Sequence, residues 1–165
     1  RALIGRGDTV ILPRLIRAHA EGRLRRMGSQ KNRVDLTPVS NVVDAILLGL
    51  NAKPEALNQI YNISNGHPEL LWPLLDDVFD KLGLAPVNKD ISMSVAKGIA
   101  RLLEWHAKWF NGHKEPALTV YGIGTLTKTF AMDISKARKL LGYEPRQSVE
   151  EAIHEFLQWH ISPKT

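Results

Sequence analysis

The sequence predicts an α/β fold that is rich in helices and has a few short strands. Two observations carry this prediction: short runs rich in strand-forming residues alternate with longer amphipathic runs, and glycine or proline separates most of them. A length of 165 residues suits one domain with its own core. We therefore expect residues 1–165 to form a single domain.

Six amphipathic or apolar runs predict helices, over residues 13–20, 42–50, 70–82, 94–110, 134–141 and 149–159. Ser40 and Asn41 are placed to cap the second helix, and Ser148 the last one. In the third helix the acidic side chains should face water: Asp76, Asp77 and Asp80. In the fourth helix an apolar stripe should face the core: Val95, Ile99, Leu102 and Leu103.

Shorter runs predict strands near 24–27, 33–39, 58–64 and 90–93. In the run 33–39 apolar and polar residues alternate, as in a strand with one buried face. We expect the run 58–64 to be a buried strand that ends at the turn former Asn65-Gly66. The segment 121–124 (YGIG) is expected to lie in a loop.

Composition and charge exclude several classes of protein. Without cysteine there can be no disulfide framework and no zinc site with sulfur ligands, and no apolar run reaches the roughly 18 residues that span a bilayer. A cytoplasmic location is expected. The net charge is +5, and the densest basic stretch (Arg23, Arg25, Arg26, Lys31 and Arg33) contains no aromatic residues for base stacking. We expect a solvated basic face and no nucleic-acid partner, with a basic binding module as an alternative.

The sequence lacks the usual catalytic and cofactor-binding signatures. The glycines of the YGIG segment do not continue into GxGxxG, and no tyrosine is followed four residues later by lysine. No G-x-S-x-G surrounds a serine, and His154-Glu155 lacks the second histidine of H-E-x-x-H. We therefore expect no catalytic, cofactor-binding or metal-binding residue in this chain.

The predicted helix at 94–110 also permits a second interpretation. Trp105, Trp109 and Phe110 lie among basic residues, as in helices that rest on a membrane surface. Core packing is favoured, and peripheral membrane contact is the alternative.

Four blocks of sequence resemble one known family. The segment 132–145 (MDISKARKLLGYEP), followed by QSVEEAIHEFLQW, resembles the C-terminal signature of extended short-chain dehydrogenases/reductases, a family of NAD-dependent epimerases, dehydratases and 3β-hydroxysteroid dehydrogenases. Residues 2–8 (ALIGRGD), 34–45 (VDLTPVSNVVDA) and 59–66 (QIYNISNG) agree with it in order and spacing. The resemblance implies the C-terminal, substrate-side portion of an extended Rossmann-type dehydrogenase, with the cofactor half missing.

The resemblance implies an NAD- or NADP-dependent oxidoreductase, closest to the 3β-hydroxysteroid dehydrogenase branch, that acts on a secondary alcohol or ketone of a small apolar substrate of the 3β-hydroxysteroid or 3-oxoacid type. A sugar epimerase or dehydratase is the alternative, disfavoured because Val34 stands where nucleotide-sugar members place an arginine before Asp35. The fragment alone should be inactive and bind no cofactor. Its implied partners are the missing N-terminal cofactor domain and a second copy in a homodimer.

By position in the family, six residues are candidates to line the substrate: Gly5, Gly7, Asp8, Thr37, Pro38 and Tyr121. A purely structural role is an equally good interpretation of each. For Asp8 that role is capping the helix that follows.

Overall fold

The computed structural model describes residues 2–110, 116 and 118–162, which fold into two compact units. Unit 1 comprises Arg1–Glu21, Val34–Glu69 and Ala131–Thr165, and unit 2 comprises Gly22–Arg33 and Leu70–Phe130. The predicted α/β class, helix-rich with short strands, is confirmed. Most of the predicted loop at 111–116 lies outside the described residues.

In chain order the elements are β1 (Ala2–Ile4), α1 (Ile11–Ala20), β2 (Arg26–Met27), β3 (Arg33–Val34), β4 (Leu36–Pro38), α2 (Val39–Leu50), a 3-10 turn (Pro54–Ala56), β5 (Glu69–Leu70), α3 (Leu71–Lys81), β6 (Asp90–Ile91), α4 (Met93–Phe110), α5 (Val120–Thr127), α6 (Ser135–Leu141) and α7 (Val149–Ile161). All six predicted helices are present. Their ends differ from the predicted ones by at most a few residues, as expected where boundaries are inferred from pattern alone.

The centre of unit 1 is a two-stranded parallel sheet, in which Ala2 of β1 lies opposite Leu36 of β4. The last helix, α7, packs against both strands, and α2 packs against β4. The apolar residues of α7 supply much of this core: Val149, Ala152, Ile153, Phe156 and Leu157. Burying side chains of this size stabilises the fold by roughly 1.5–3 kcal/mol each.

The segment 35–38, which contains β4, differs from the predicted half-buried strand, because its polar residues are buried as well. Asp35 is 4% exposed and Thr37 is 0% exposed. The reason is that helices α2 and α7 both pack against β4, and parallel strands are commonly buried on both faces. The alternation of apolar and polar residues in the run 33–39 therefore does not indicate which of them are exposed.

The predicted caps of α2 are wrong. The helix begins at Val39, directly after Pro38, and no side chain caps it. Ser40 and Asn41 thus lie in its first turn, and their side chains bond to other segments: Ser40 Oγ donates to Gln147 Oε1, and the amide of Asn41 is fully buried. The capping box of α7 is confirmed, with Ser148 and Glu151 bonding each other's backbone N–H.

The predicted buried strand at 58–64 is also wrong. Tyr61 and Ile63 pack against the cluster formed by Ala45, Ile134, Ala137 and Tyr143, but no strand among the described residues pairs with this segment. Ile60 is 87% exposed. The turn at its end is as predicted: Gly66 has φ +71°, and a Cβ there would lie 2.8 Å from Ile134 Cδ1.

Unit 2 contains a second short parallel sheet, in which Arg26 of β2 lies opposite Asp90 of β6. Helix α3 contributes its largest buried side chains: Trp72, Leu75, Val78 and Phe79. Arg26 was expected on a solvated basic face and Asp76 in water, and both expectations are wrong. Arg26 Nη2 lies 2.6 Å from each oxygen of the Asp76 carboxylate, Nε donates to Val87 O, and the guanidinium stands over the Trp72 ring.

Helix α4 buries a different face from the one predicted. Ala96, Ala100 and Ala107 are buried, Ala96 and Ala100 in a cluster with Met27 and Ile123. The predicted inward residues Val95, Ile99 and Leu102 are exposed, and Leu103 is half-buried. The small alanines bring α4 close to its neighbours, which leaves the larger apolar side chains outside.

The predicted loop at 121–124 is a helix, α5. Thr119 caps it by accepting a hydrogen bond from Gly122 N at 2.9 Å, and Ile123 is fully buried. A cap and one buried apolar side chain therefore outweigh two glycines that disfavour helix.

We expect Tyr143 to make stability fall at alkaline pH. Burial, with the Asp44 carboxylate nearby, raises the pKa of the Tyr143 phenol above its ordinary value of 10.0. The unfolded chain therefore loses this proton first, so the free energy of unfolding falls as pH rises above about 10. Tyr143→Phe should weaken this slope and cost about 1 kcal/mol at neutral pH, because the hydroxyl donates to Ser64 O at 2.9 Å. Urea unfolding from about pH 8 to pH 11 measures both; equal slopes would contradict the expectation.

Candidate functional site

The parallel pairing of β1 and β4 brings five of the six predicted lining residues to one edge of unit 1. Leu3 lies opposite Thr37 and Ile4 opposite Pro38, so both strands end together. The turn 5–8 follows β1 at this edge. We call this edge the carboxyl edge, and define it by Gly5, Gly7, Asp8, Thr37 and Pro38. In open α/β sheets, ligands bind outside the carboxyl ends of the strands.

The turn after β1 requires its glycines. Asp8 N donates to Gly5 O at 3.1 Å, which closes a four-residue turn. Gly5 has φ +133° and Gly7 has φ +87°, conformations that side chains rarely adopt. A Cβ on Gly5 would also lie 3.4 Å from Val39 Cγ1. The two glycines therefore shape the carboxyl edge by their backbone.

Asp8 is a helix cap. Its Oδ1 accepts hydrogen bonds from Val10 N at 2.8 Å and Ile11 N at 2.9 Å, and its Oδ2 accepts from Leu12 N at 2.9 Å. Both carboxylate oxygens are thus used in satisfying the first N–H groups of α1. A purely structural role, as the cap of α1, therefore explains all three hydrogen bonds of the Asp8 carboxylate.

Thr37 of β4 and Asp35, which directly precedes β4, each have a buried polar atom without a partner among the described residues. Thr37 Oγ1 is buried and has no hydrogen-bond partner among the described residues, and the same holds for Asp35 Oδ1. Asp35 Oδ2 accepts from Met132 N at 2.7 Å, which fixes that carboxylate. A buried polar group without a partner costs about 1–3 kcal/mol, so the Thr37 hydroxyl, which is fully buried, is an unpartnered donor beside the end of β4.

Tyr121 lies on α5 of unit 2, and its side chain is 70% exposed. The other five candidates belong to unit 1. The structure therefore groups five of the six and places Tyr121 in a separate unit.

The residue that sequence reasoning missed is Asn41. Its Nδ2 donates to Asn65 Oδ1 and to Gln147 O, both at 2.8 Å, and its Oδ1 accepts from Arg146 N and Gln147 N, both at 3.0 Å. These four bonds join α2 to the turn at 64–66 and to the segment that precedes α7. No local pattern signals them, because both partners lie far away in sequence.

The described residues do not fit a nicotinamide dinucleotide. A strand, a Gly-x-Gly turn and a helix follow one another at β1 and α1, which is the arrangement that receives a pyrophosphate at the helix N-terminus. Here the Asp8 carboxylate already occupies those N–H groups, so a second anion would be repelled. The other Gly-x-Gly, Gly122 to Gly124, lies inside α5. Neither Gly-x-Gly segment of the described residues therefore offers a free helix N-terminus to a pyrophosphate.

Two other kinds of site were considered. No group of three or more potential metal ligands occurs among the described residues. An open cavity of about 270 Å³ lies between α2 and the segment after α6, lined by Leu47, Asn51, Glu144 and Arg146 among others. It includes none of the six predicted lining residues.

Comparison with known proteins gives relatives of one kind, although no family model matches the chain. The chain is 33% identical over 158 residues to the 2-alkyl-3-oxoalkanoate reductase of Stenotrophomonas maltophilia, which covers 93% of this chain. It is 29% identical over 167 residues to the decarboxylating sterol-4-alpha-carboxylate 3-dehydrogenase of Saccharomyces cerevisiae, which covers 95% of this chain. Each alignment covers 47% of the relative. The chain thus spans about half the length of the curated relatives it matches.

A solved structure shows the same fold. The UDP-glucuronic acid 4-epimerase of Bacillus cereus, in complex with NAD, matches with a TM-score of 0.62 at 16% identity, over 96% of this chain and 41% of that one. The resemblance found in the four sequence blocks is confirmed. This chain corresponds to the C-terminal part of an extended short-chain dehydrogenase/reductase.

We expect Asn41→Ala to lower the free energy of unfolding by at least about 3 kcal/mol, because it leaves several buried backbone and side-chain groups without partners. The matched control is Asn51→Ala at the other end of α2, where the amide makes one exposed bond to Leu47 O. That change should cost about 0.5 kcal/mol. Urea unfolding at neutral pH compares the two variants, and equal losses would show that Asn41 is not a structural centre.

Proposed function

We propose that this chain is the substrate-binding part of an NAD- or NADP-dependent oxidoreductase. The enzyme interconverts a secondary alcohol and a ketone on a small apolar substrate of the 3β-hydroxysteroid or 3-oxoacid type. The observation that carries the proposal is the similarity of 93% of the chain to half of a 3-oxoalkanoate reductase. Both units together form one substrate domain, residues 1–165, and the protein acts in the cytoplasm.

The carboxyl edge supports an apolar substrate with few oxygens. Its one free buried donor is Thr37 Oγ1, and its surroundings include the buried apolar residues Ile4 and Leu36. Apolar surroundings with a few placed polar groups are typical of sites that bind a substrate with an apolar body. Gly5, Gly7 and Pro38 shape the edge, Asp8 holds its turn, and Tyr121 is proposed to line the substrate from α5.

Exposed apolar surface in unit 1 supports docking of a separate cofactor half. Parallel sheets are normally covered and extended on both sides, yet β1 and β4 form a sheet of two strands, and Leu3 is 41% exposed. Helix α2 also exposes an apolar face: Val43, Ile46, Leu47 and Leu50. A cofactor domain packed against these surfaces would cover them. A homodimer of the complete enzyme would pair through helices of that domain.

The alternatives receive less support. A nucleotide-sugar epimerase needs cations for the diphosphate, and the residue before Asp35 is the buried Val34. A basic binding module needs a continuous cationic face, but Arg26 is engaged with Asp76. We propose no nucleic-acid partner.

We propose in addition that the chain makes peripheral contact with a membrane surface. Apolar substrates of this class partition into lipid, and α4 exposes apolar side chains beside basic ones.

The activity is tested with the chain joined to the cofactor-binding half of the Stenotrophomonas reductase. We expect NADH or NADPH to be oxidised with a long-chain 2-alkyl-3-oxo acid or a 3-oxosteroid, at a kcat/KM at least about a hundredfold above that for a UDP-sugar, because discrimination of this size follows from a buried apolar pocket. The cofactor half alone is the control. Turnover of the UDP-sugar in preference to both apolar ketones would contradict the proposal.

Thr37→Val tests the carboxyl edge in the same fusion. The change removes a hydroxyl that has no partner in the chain, so the free energy of unfolding should stay the same or rise. We expect kcat/KM for the ketone to fall about tenfold, because the substrate loses a hydrogen bond. Ser94→Ala, which removes an exposed hydroxyl on α4, is the control and should change neither quantity. An unchanged kcat/KM in Thr37→Val would remove this residue from the site.

A further inference from the structure

The outer face of α4 carries five large apolar side chains along its length, and the exposed His106 lies among them. Its exposed side chains are Val95 (54%), Ile99 (42%), Leu102 (65%), Trp105 (55%) and Trp109 (67%). Their spacing of three, four and seven residues places them on one side of the helix. An 18-residue helix is about 27 Å long, so the five form a continuous stripe, which we call the α4 stripe.

The α4 stripe is not part of the core of unit 2. The opposite side of α4, lined by Ala96, Ala100 and Ala107, is the side that is buried, and Met27 and Ile123 pack against it. The helix is therefore anchored by small residues on one side and presents its large apolar residues on the other. A continuous exposed patch of this kind marks an interaction surface.

Basic residues border the α4 stripe. Lys97, Arg101 and Lys108 are all exposed, and at 100° per residue they fall on one flank between the stripe and the buried face. The acidic residue of α4, Glu104, is half-buried, and its Oε1 accepts a hydrogen bond from Val120 N at 2.9 Å. The border of the stripe therefore carries net positive charge.

We propose that the α4 stripe docks onto a lipid bilayer that contains anionic lipid, with α4 lying in the plane of the surface. None of the described helices has the length and hydropathy needed to cross a membrane, and α4 itself carries four charged residues. A helix with aromatic and aliphatic residues on one side and Lys and Arg beside them is typical of one that rests at the headgroup level. Trp105 and Trp109 enter the interface, where tryptophan is preferred, and the three cations face the headgroups.

A bilayer satisfies both features of the surface, whereas a second copy does not. If two copies paired stripe to stripe, each basic flank would meet the same basic flank, so this pairing supplies no anionic counterpart. The lipid and the residues named here specify the membrane contact proposed above, and they depend on that contact. It does not depend on the reductase activity, because lipid binding is measured without substrate or cofactor.

The test is sedimentation of the full chain with vesicles of phosphatidylcholine alone and of phosphatidylcholine with phosphatidylglycerol. We expect binding to the anionic vesicles that weakens as salt is added, since screening shortens the reach of the charges. Trp105→Ala/Trp109→Ala should weaken binding at least about tenfold. Lys97→Glu/Arg101→Glu should weaken it at least about 25-fold, or about fivefold for each basic residue lost.

Two control variants distinguish binding through the α4 stripe from nonspecific hydrophobic adsorption and from an effect of net charge. Val10→Ala/Ile161→Ala removes two apolar side chains of similar exposure (64% and 66%), and Lys53→Glu/Lys139→Glu makes the same change of net charge at exposed positions of unit 1. The apolar control should bind like the wild type, and the charge control should weaken binding less than the α4 charge variant. Circular dichroism checks that each variant is folded.

Three results would overturn the proposal. The wild type fails to sediment with anionic vesicles, or the tryptophan variant binds as tightly as the wild type. The third is that light scattering shows a dimer for the wild type and a monomer for the tryptophan variant, while neither protein binds vesicles. That result would assign the stripe to contact with a second copy.

Discussion

The hydrogen bonds of the buried Asn41 amide are the constraint on which unit 1 depends. They tie the first turn of α2 to the turn at 64–66 and to the backbone just before α7. Because α2 follows β4 without a break and α7 covers both strands, fixing these segments also fixes the end of β4. One side chain thus links three distant segments of sequence, and its bonds are protected from water by burial.

The carboxyl edge is a consequence of that arrangement. β1 and β4 end together, the glycine turn leaves β1 at this point, and Asp8 secures the helix that follows. The local chemistry is sparse: one free hydroxyl at Thr37 and an apolar surround. In the proposed enzyme this edge positions the apolar substrate, and the N-terminus of α1 is not available to a pyrophosphate because Asp8 occupies it. The chemistry of the proposed reaction belongs to the cofactor half.

Local signals in the sequence predicted six of the seven described α-helices and the family resemblance, but missed α5, and long-range contacts explain most of the wrong predictions. Ser148 and Glu151 form the predicted capping box because a cap involves residues three apart. The segment 58–64 has the residues of a strand but no described strand beside it, and α4 turns its alanines inward because only the neighbouring elements decide which apolar face is buried. Asn41, Asp35 and Thr37 are polar residues whose burial depends on packing by distant helices, which no pattern of residue types reports.

The most direct test of the account is calorimetric titration of NADH and NADPH into this chain alone and into the same chain joined to the cofactor-binding half of a related reductase. The account predicts no cofactor binding to the chain alone, because Asp8 fills the N-terminus of α1, and micromolar or tighter binding once the other half is present. Saturable binding of either cofactor to the chain alone would contradict it, and would place a dinucleotide site among residues that we assign to the substrate.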